Sequence, residues 1–218
     1  MPLETFAAAM GVCDPALEGH SARVSSHAVA VALRLGWEPH RLEHLRLGVA
    51  LHDVGKLSVR PEVLAKPGAL DESELAEIRA HPLEGARLIA GVPCLAAALP
   101  YVLFHHERWD GTGYPTRRAG EKIPIEGRLV AVADAFDAMT SARPYREALS
   151  GDDAVGELER CAGSQFDPDV ACSFVAAYEA GEILASQSHP AAVRKSRRQV
   201  TETTTPRASS SCAGSPRR

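Results

Sequence analysis

The most specific stretch of this chain is a run of eleven residues, HHERWDGTGYP, at positions 105–115. A second short run, HDVGK at positions 52–56, stands about fifty residues earlier in the chain. Imidazole and carboxylate side chains are the usual ligands of transition-metal ions in proteins. Core packing does not readily explain two dense runs of such residues, so they indicate a buried metal site built from several helices.

Two adjacent ligand pairs, His52–Asp53 and His105–His106, favour a site with two metal ions. Neighbouring residues on a helix point about 100° apart, so adjacent ligands reach two different ions, or one side chain bridges them. We therefore expect a dinuclear site in which each pair contributes to both ions. Three further residues, predicted to lie on three other helices, complete the expected ligand set: His20, His81 and Asp134.

The expected ligand set determines which ions and substrates suit the site. Five imidazoles and two carboxylates are richer in nitrogen than Mg²⁺ or Ca²⁺ prefer, and they suit iron, manganese, nickel, cobalt or zinc. Two divalent ions about 3.5–4 Å apart can clamp the attacking and leaving oxygens of a phosphoester. The ions outweigh two carboxylates and a hydroxide by about one positive charge, which favours an anionic substrate.

The composition indicates one domain in a reducing compartment. The chain has 218 residues, enough for one core and too few for two ordinary domains. Its five cysteines are odd in number and form no CxxC pair, so we expect free, buried thiols. No apolar run reaches the roughly 18–20 residues that span a bilayer, and the N-terminus does not resemble a signal peptide. These features predict a cytoplasmic protein without a membrane partner.

The residue pattern predicts an all-α fold. Aromatic residues make up only 5% of the chain, and alternating β-branched runs are scarce. Asp71 and Glu74 resemble a capping box at a helix start. The segment 57–70 is predicted to be a loop with one short turn, and 108–124 is predicted to be a long functional loop. The periodicity predicts helices at 19–35, 39–52, 71–90 with a kink near His81, 95–106, 125–140, 152–161 and 167–180.

The chain divides into three predicted segments. Residues 1–18 form a short N-terminal segment, and residues 19–185 form the folded domain. Residues 186–218 contain seven Lys or Arg and one Glu with few apolar side chains, so we expect a disordered basic tail. The rest of the chain then carries about ten net negative charges.

Several motifs together resemble the HD-GYP group of the HD superfamily. The HD pair alone is weak evidence, whereas the long run at 105–115 is specific. The resemblance covers about 19–178 and implies an all-α, HD-domain helical bundle with an HD-GYP extension. It also implies hydrolysis of cyclic di-GMP, a bacterial second messenger, at a centre of two or three iron or manganese ions. Further matching stretches are HSARV at 20–24, KPG at 66–68, HPLEG at 81–85, ADAFDAMT at 133–140, RPYR at 143–146 and QFDP at 165–168.

The resemblance assigns the metal ligands residue by residue. In three-metal members of the family a glutamate stands four residues before the first histidine. Ala16 occupies that position here, and the nearby Glu18 lies on a different helical face. We therefore expect two divalent ions, with iron or manganese ahead of zinc, nickel and cobalt. The matching ligand positions are His20, His52, Asp53, His81, His105, His106 and Asp134.

Asp53 and Lys56 are the expected catalytic residues. In the family a lysine at the position of Lys56 faces the scissile phosphate, where a cation stabilises transition-state charge or helps to protonate the departing 3′-oxygen. The alternative for Lys56 is a solvent-facing lysine at a helix end. Arg143 and Arg146 are candidates for contacting a phosphate or a guanine edge, with surface salt bridges as the alternative. Tyr114 either lines the substrate pocket or braces its own loop.

The remaining histidines receive structural interpretations. His27 shares a helix face with the first ligand, so we expect it in the core or next to the site. His40, His44 and His189 are predicted to be exposed. Asp137 is interpreted as a hydrogen-bonding partner of a ligand rather than as a ligand itself.

These observations predict a metal-dependent phosphodiesterase that cuts cyclic di-GMP to pGpG, to GMP or to both. Two alternatives stay open. One is a hydrolase for a different substrate, such as another cyclic dinucleotide or a nucleotide phosphomonoester. The other is a non-catalytic module that binds cyclic di-GMP and passes the signal to a protein partner. The net charge of −4 does not favour a nucleic-acid polymer as partner, and nothing in the sequence indicates an oligomeric state.

Overall fold

The protein is described by a computed structural model that covers residues 19–142 and 147–185. Within these residues the secondary structure is helical, which confirms the all-α prediction. No helix in this part of the chain is long and apolar enough to cross a membrane. The α-helices are α1 His20–Arg34, α2 Pro39–Leu51, α3 Pro61–Leu64, α4 Glu72–Arg79, α5 His81–Ala90, α6 Leu99–Phe104, α7 Ile125–Thr140, α8 Gly151–Cys161 and α9 Pro168–Glu179, with 3₁₀ turns at Val54–Ser58, Pro93–Ala98 and Gly120–Lys122.

Several helix starts follow from local capping chemistry. The Asp71 carboxylate accepts a hydrogen bond from the Glu74 backbone N–H, and the Glu74 carboxylate accepts one from the Asp71 backbone N–H. This is the predicted capping box at the start of α4. Ser150 caps α8 and Asp167 caps α9 in the same general way. Because these caps satisfy orphan N–H groups of the first turn, they fix where each helix begins.

The core consists of two apolar clusters. The larger one joins α1, α2, α6, α7, α8 and α9, and its fully buried large side chains include Tyr101, Phe136 and Phe174. The smaller one packs the end of α2 and the first 3₁₀ turn against α5 and α6. The long helix α7 contacts α1 on one side and α6 on another. Helix ends from both clusters therefore meet beside α7, and this is where the candidate site lies.

The predicted helix at 95–106 is wrong in its extent. The structure has a 3₁₀ turn at Pro93–Ala98 followed by the short helix α6, which ends at Phe104. Pro100 explains the break, because it has no backbone N–H and fits only in the first turn of a helix. His105 follows Phe104, the last residue of α6, instead of lying within a helix.

The cysteines confirm only part of the prediction. Cys94, Cys161 and Cys172 are free, as expected, but Cys94 and Cys172 are exposed and Cys161 is half-buried. The assumption that each thiol packs in the core is therefore wrong for these three residues. The predicted N-terminal segment, the basic tail and His189 lie outside the described residues.

Two glycines provide a test of how tightly the site is packed. A Cβ on Gly55 would overlap the backbone carbonyl of His81, whereas a Cβ on Gly156 would meet nothing within 4 Å. We expect Gly55→Ala to destabilise the protein by at least about 1–3 kcal/mol, because backbone rather than a flexible side chain must move. Gly156→Ala, inside α8, should stabilise it by about 0.5–1 kcal/mol. Urea unfolding of both variants checks this, and equal midpoints would contradict it.

Candidate metal centre

The structure brings all seven predicted ligands into two adjacent groups of side chains. In each group the candidate ligand atoms all lie within 4.8 Å of one another. The first group contains Asp53, His81, His105 and His106. The second contains His20, His52 and Asp134.

The ligand-type side chains come mainly from helix ends. His20 is the first residue of α1, and His81 is the first residue of α5. His52 and His105 directly follow the last residues of α2 and α6. Asp134 is the exception, since it projects from the middle of α7. The site is thus a point where four helix ends converge on the side of a fifth helix.

Three of the histidine rings are oriented by their own backbone. In each ring Nδ1 faces a backbone carbonyl three residues earlier, and a carbonyl oxygen only accepts hydrogen bonds. Nδ1 therefore carries a proton, and in the neutral form of each ring Nε2 presents a lone pair. The distances are 2.7 Å from His52 Nδ1 to Val49 O, 2.8 Å from His81 Nδ1 to Ile78 O and 2.9 Å from His105 Nδ1 to Val102 O.

The lone pairs on these rings converge without a donor between them. His81 Nε2 lies 3.1 Å from His105 Nε2 and 3.2 Å from Asp53 Oδ1. His52 Nε2 is buried and has no hydrogen-bond partner. Several acceptors this close together repel one another unless a cation lies among them. The nitrogen-rich donor set fits a divalent transition-metal ion better than Mg²⁺ or Ca²⁺.

Asp53 lies between the two groups. Its Oδ1 atom faces His81 and lies 3.8 Å from His105 Nε2. Its Oδ2 atom lies 3.5 Å from His52 Nε2 in the second group. Lys56 Nζ donates a hydrogen bond of 2.6 Å to the same Oδ2 atom. One carboxylate therefore serves both groups and also holds the lysine ammonium at the site.

The electrostatic environment keeps the first group ready to bind a cation. Burial lowers the pKa of His106 to about 4 and lowers the pKa of His105 well below its usual value, with help from neighbouring histidines. Both rings are therefore neutral near pH 7. Burial alone would raise the pKa of Asp53, but the neighbouring His52 ring and the Lys56 ammonium bring it well below the usual range. The carboxylate is thus ionised.

The second group is organised around His20. Its Nε2 atom lies 3.2 Å from Asp134 Oδ1, while its Nδ1 atom lies 2.7 Å from Asp137 Oδ2. Burial lowers the pKa of His20, but the hydrogen bonds to Asp134 and Asp137 outweigh this and raise it to about 9. Asp137 contacts the ring nitrogen that faces away from Asp134, as expected for a partner of a ligand.

The loop after α6 folds back over the first group. The Tyr114 backbone N–H donates to His106 O, and the Tyr114 ring stacks on the His106 ring with centroids 4.9 Å apart. Glu107 is buried and accepts hydrogen bonds from the backbone N–H and the hydroxyl of Thr116. A Cβ on Gly113 would crowd the backbone of residues 106–108, so this turn requires glycine. Tyr114 is thus held against the site by its own loop.

A cavity of about 280 Å³ opens beside the two groups. His106, Tyr114 and Asp134 line it, together with Arg108 and Gln165 from the loop and the α8–α9 turn. Its volume is close to the lower end of the roughly 300–1,000 Å³ typical of small-molecule sites. Three of the candidate ligands, His105, His106 and Asp134, therefore border a space that a ligand can enter.

Some sequence predictions fall outside the described residues. Arg143 and Arg146, the candidates for substrate contacts, belong to the segment that the structure does not describe, and Ala16 precedes residue 19. Among the other histidines, His27 is buried, and its ring packs on Phe136. His40 and His44 are exposed, as predicted.

Two arginines near the site, Arg23 and Arg79, were not predicted from the sequence as site residues. Arg23 pairs with Asp137, and the Arg79 guanidinium lies 5.9 Å from the centre of the Tyr114 ring. A spacing signal was present for the first: Arg23 stands three residues after His20, and Asp137 stands three residues after Asp134. Residues three apart share a helix face, so this spacing marks each pair, although it does not show that α1 packs against α7.

Comparison with known proteins identifies the family. The sequence profile of the HD domain family, described as "HD domain", matches residues 8–170. The long run at 105–115 adds the features of one group within that family. The chain therefore belongs to the HD domain family, in its HD-GYP group, which confirms the resemblance inferred from the motifs.

Curated relatives are cyclic-dinucleotide phosphodiesterases by name. The chain is 40% identical over 168 residues to "Cyclic di-GMP phosphodiesterase response regulator RpfG" of Xanthomonas campestris, covering 76% of this chain and 44% of that protein. It is 42% identical over 161 residues to "Cyclic di-GMP phosphodiesterase" of Vibrio cholerae, covering 71% and 33%. It is 35% identical over 156 residues to "3'3'-cGAMP-specific phosphodiesterase 3" of the same species, covering 72% and 34%. The chain thus spans less than half the length of these relatives.

Solved structures confirm the fold. The HDG"Y"P protein Bd1817 from Bdellovibrio bacteriovorus matches with a TM-score of 0.60 at 22% identity, over 73% of this chain and 51% of that one. The PgpH HD domain of L. monocytogenes matches with a TM-score of 0.56 at 18% identity, over 82% and 98%. The all-α HD bundle predicted from the sequence is therefore confirmed.

Proposed function

We propose that this chain is a metal-dependent phosphodiesterase that hydrolyses cyclic di-GMP to pGpG, GMP or both. The observation that carries the proposal is the pair of ligand groups that share the Asp53 carboxylate. Two neighbouring cations held by these groups would supply the chemistry that cleaves one phosphodiester. The names of relatives with 40% and 42% identity support the choice of substrate class.

Two divalent transition-metal ions are the proposed cofactors. Iron and manganese are favoured, and zinc, nickel and cobalt also suit a donor set of five imidazoles and two carboxylates. One ion would be held by Asp53, His81, His105 and His106, and the other by His20, His52 and Asp134. When bound, the ions would polarise the phosphate oxygens and lower the pKa of a water nucleophile.

The chain's own residues supply positioning and charge. Lys56 presents its ammonium next to Asp53, where it can stabilise negative charge that develops on the phosphate. The Tyr114 ring borders the cavity and offers an apolar surface beside His106. Arg143 and Arg146 remain candidates for phosphate or guanine contacts, because a guanidinium presents forked donors.

One alternative substrate has direct support. The chain is also 35% identical to a relative named as specific for 3′3′-cGAMP, so a mixed guanine–adenine dinucleotide is a second candidate. A non-catalytic sensor that binds cyclic di-GMP and contacts a signalling partner is the alternative of another class. A cytoplasmic location and such a protein partner stay predictions from the sequence.

A product assay separates these functions. We expect the purified chain, loaded with Mn²⁺ or anaerobically with Fe²⁺, to convert cyclic di-GMP to pGpG or GMP. Chelation should abolish turnover, and returning the metal should restore it, since both ligand groups require a cation. Parallel reactions with 3′3′-cGAMP and p-nitrophenyl phosphate rank the substrates. Binding of cyclic di-GMP by fully metal-loaded protein without any product would establish the sensor and overturn the proposal.

A further inference from the structure

The two ligand groups differ in how their histidines are held. In the first group, the rings of His81 and His105 are fixed by backbone carbonyls of residues three positions earlier. In the second group, the ring of His52 is fixed in the same way by the Val49 carbonyl, but the ring of His20 is fixed by a side chain from another helix, Asp137 on α7. Local backbone contacts persist as long as the helix ends persist, whereas a contact between helices depends on the partner side chain.

Asp137 is itself held by Arg23 on α1. Arg23 Nε donates to Asp137 Oδ1 over 2.5 Å, and Arg23 Nη2 donates to Asp137 Oδ2 over 3.0 Å. The same Nη2 atom lies 3.3 Å from the Ser141 hydroxyl. The Asp137 side chain is only 1% exposed, so its position is set by these partners and by His20. Two parallel N–H···O bonds fix a carboxylate in both distance and plane.

We propose that Arg23 is a positioning residue which, through Asp137, orients His20 and thereby sets the affinity of the second metal position. The first position, with four ligands of which His81 and His105 are anchored by backbone carbonyls, fills first. The second position shares Asp53 and adds three ligands of its own; it fills at higher metal concentration because His20 depends on the Arg23–Asp137 pair. This inference rests on the proposed metal centre but concerns the order in which its two positions fill.

Arg23 acts on His20 through Asp137. A partner that accepts the Nδ1 proton of a metal-binding histidine fixes the ring orientation and makes the other nitrogen a better donor to the metal. Without Arg23, the buried Asp137 carboxylate loses its compensating charge and is expected to move towards Ser141 or to solvent. His20 then rotates more freely, and Nε2 no longer points steadily beside Asp134. The first group contains none of these residues and is left intact.

Arg23→Met tests the inference, with Arg34→Met as the matched control. Both arginines lie on α1, both make two-bond contacts with a carboxylate, and their side chains are 34% and 32% exposed. Arg34 pairs with Glu182, which belongs to neither ligand group. Mn²⁺ per chain is measured by equilibrium dialysis over a range of free Mn²⁺. Electron paramagnetic resonance then distinguishes an isolated Mn²⁺ from a coupled pair.

The expected result is a selective loss at one position. Wild type and Arg34→Met should bind two ions in two steps and show the coupled spectrum. In Arg23→Met the weaker step should shift by roughly 10–100-fold, the usual cost of losing such a partner, while the tighter step stays unchanged. At intermediate Mn²⁺ this variant should hold one ion with an isolated spectrum. Arg23→Lys, which keeps the charge but loses the fork, should lie between the two.

Other outcomes overturn the inference, each in a distinguishable way. Two unchanged steps in Arg23→Met would show that the pair does not position His20. Equal weakening of both steps, or the same loss in Arg34→Met, would show a general structural effect. If Arg23→Met fails to fold, an unchanged weaker step in Arg23→Lys decides against the inference. If the wild-type chain binds neither Mn²⁺ nor Fe²⁺, the proposed metal-dependent function itself is refuted.

Discussion

Asp53→Asn is expected to abolish hydrolysis of cyclic di-GMP and to reduce the bound metal below two ions per chain. The Asp53 carboxylate faces both ligand groups, with Oδ1 towards His81 and Oδ2 towards His52. An amide has the same shape but no charge, and it places an N–H donor where a cation should bind. Because both metal positions are affected, we expect the loss of kcat to exceed the 10²–10³-fold typical of one lost electrostatic contact.

A surface aspartate provides the control for this variant. Asp169 lies exposed in the first turn of α9, and Asp169→Asn should keep two ions and wild-type turnover. Elemental analysis and product formation are measured on the same preparations, with circular dichroism to verify folding. The role given to Asp53 would be refuted by an asparagine variant that binds two ions and turns over within tenfold of wild type.

Residue types, helical spacing and the family resemblance together predicted which side chains meet. The predicted helices at 19–35 and 125–140 required only hydrophobic periodicity, and the latter agrees with α7 at both ends. The seven ligands follow from the motifs, because metal-binding residue types recur there at positions that core packing does not explain. The identity of the ligands depends on local motifs, so it is predicted correctly even where the predicted end of a helix is wrong.

The division of the ligands into two groups could not be predicted in full. His52 and Asp53 fall into different groups, as their neighbouring positions suggested. His105 and His106 instead fall into the same group, with ring centroids 4.2 Å apart. The 100° offset between neighbours applies only inside a helix, and α6 already ends at Phe104. An error in one helix end therefore became an error in ligand geometry.

Long-range partners of the ligands were also beyond the sequence. The spacing of His20 to Arg23 and of Asp134 to Asp137 was visible, but the packing of α1 against α7 was not. Only that packing places a guanidinium 114 positions away within hydrogen-bond distance of Asp137. Contacts between distant segments depend on the register of two helices, which a single sequence does not specify.

Lys56→Met is expected to lower kcat by roughly 10²–10³-fold while two metal ions remain bound. The Lys56 ammonium is held 2.6 Å from Asp53 Oδ2, on a side chain that is 21% exposed, so it lies at the edge of the site and not in bulk solvent. Its charge acts on the phosphate mainly as negative charge builds up in the transition state, so KM should change less than kcat. Lys56→Arg should recover part of kcat through the retained charge.

The same measurements on Lys122→Met separate a local effect from a general loss of positive charge. Lys122 is exposed in the 3₁₀ turn Gly120–Lys122 and belongs to neither ligand group, so this variant should match wild type. Metal content decides between the two ways in which Lys56→Met could fail. A drop below two ions would mean that the lysine supports Asp53 in holding metal, whereas full occupancy with a low kcat assigns it to the reacting phosphate. A kcat within threefold of wild type at full occupancy would show that Lys56 is only a solvent-facing lysine at a helix end.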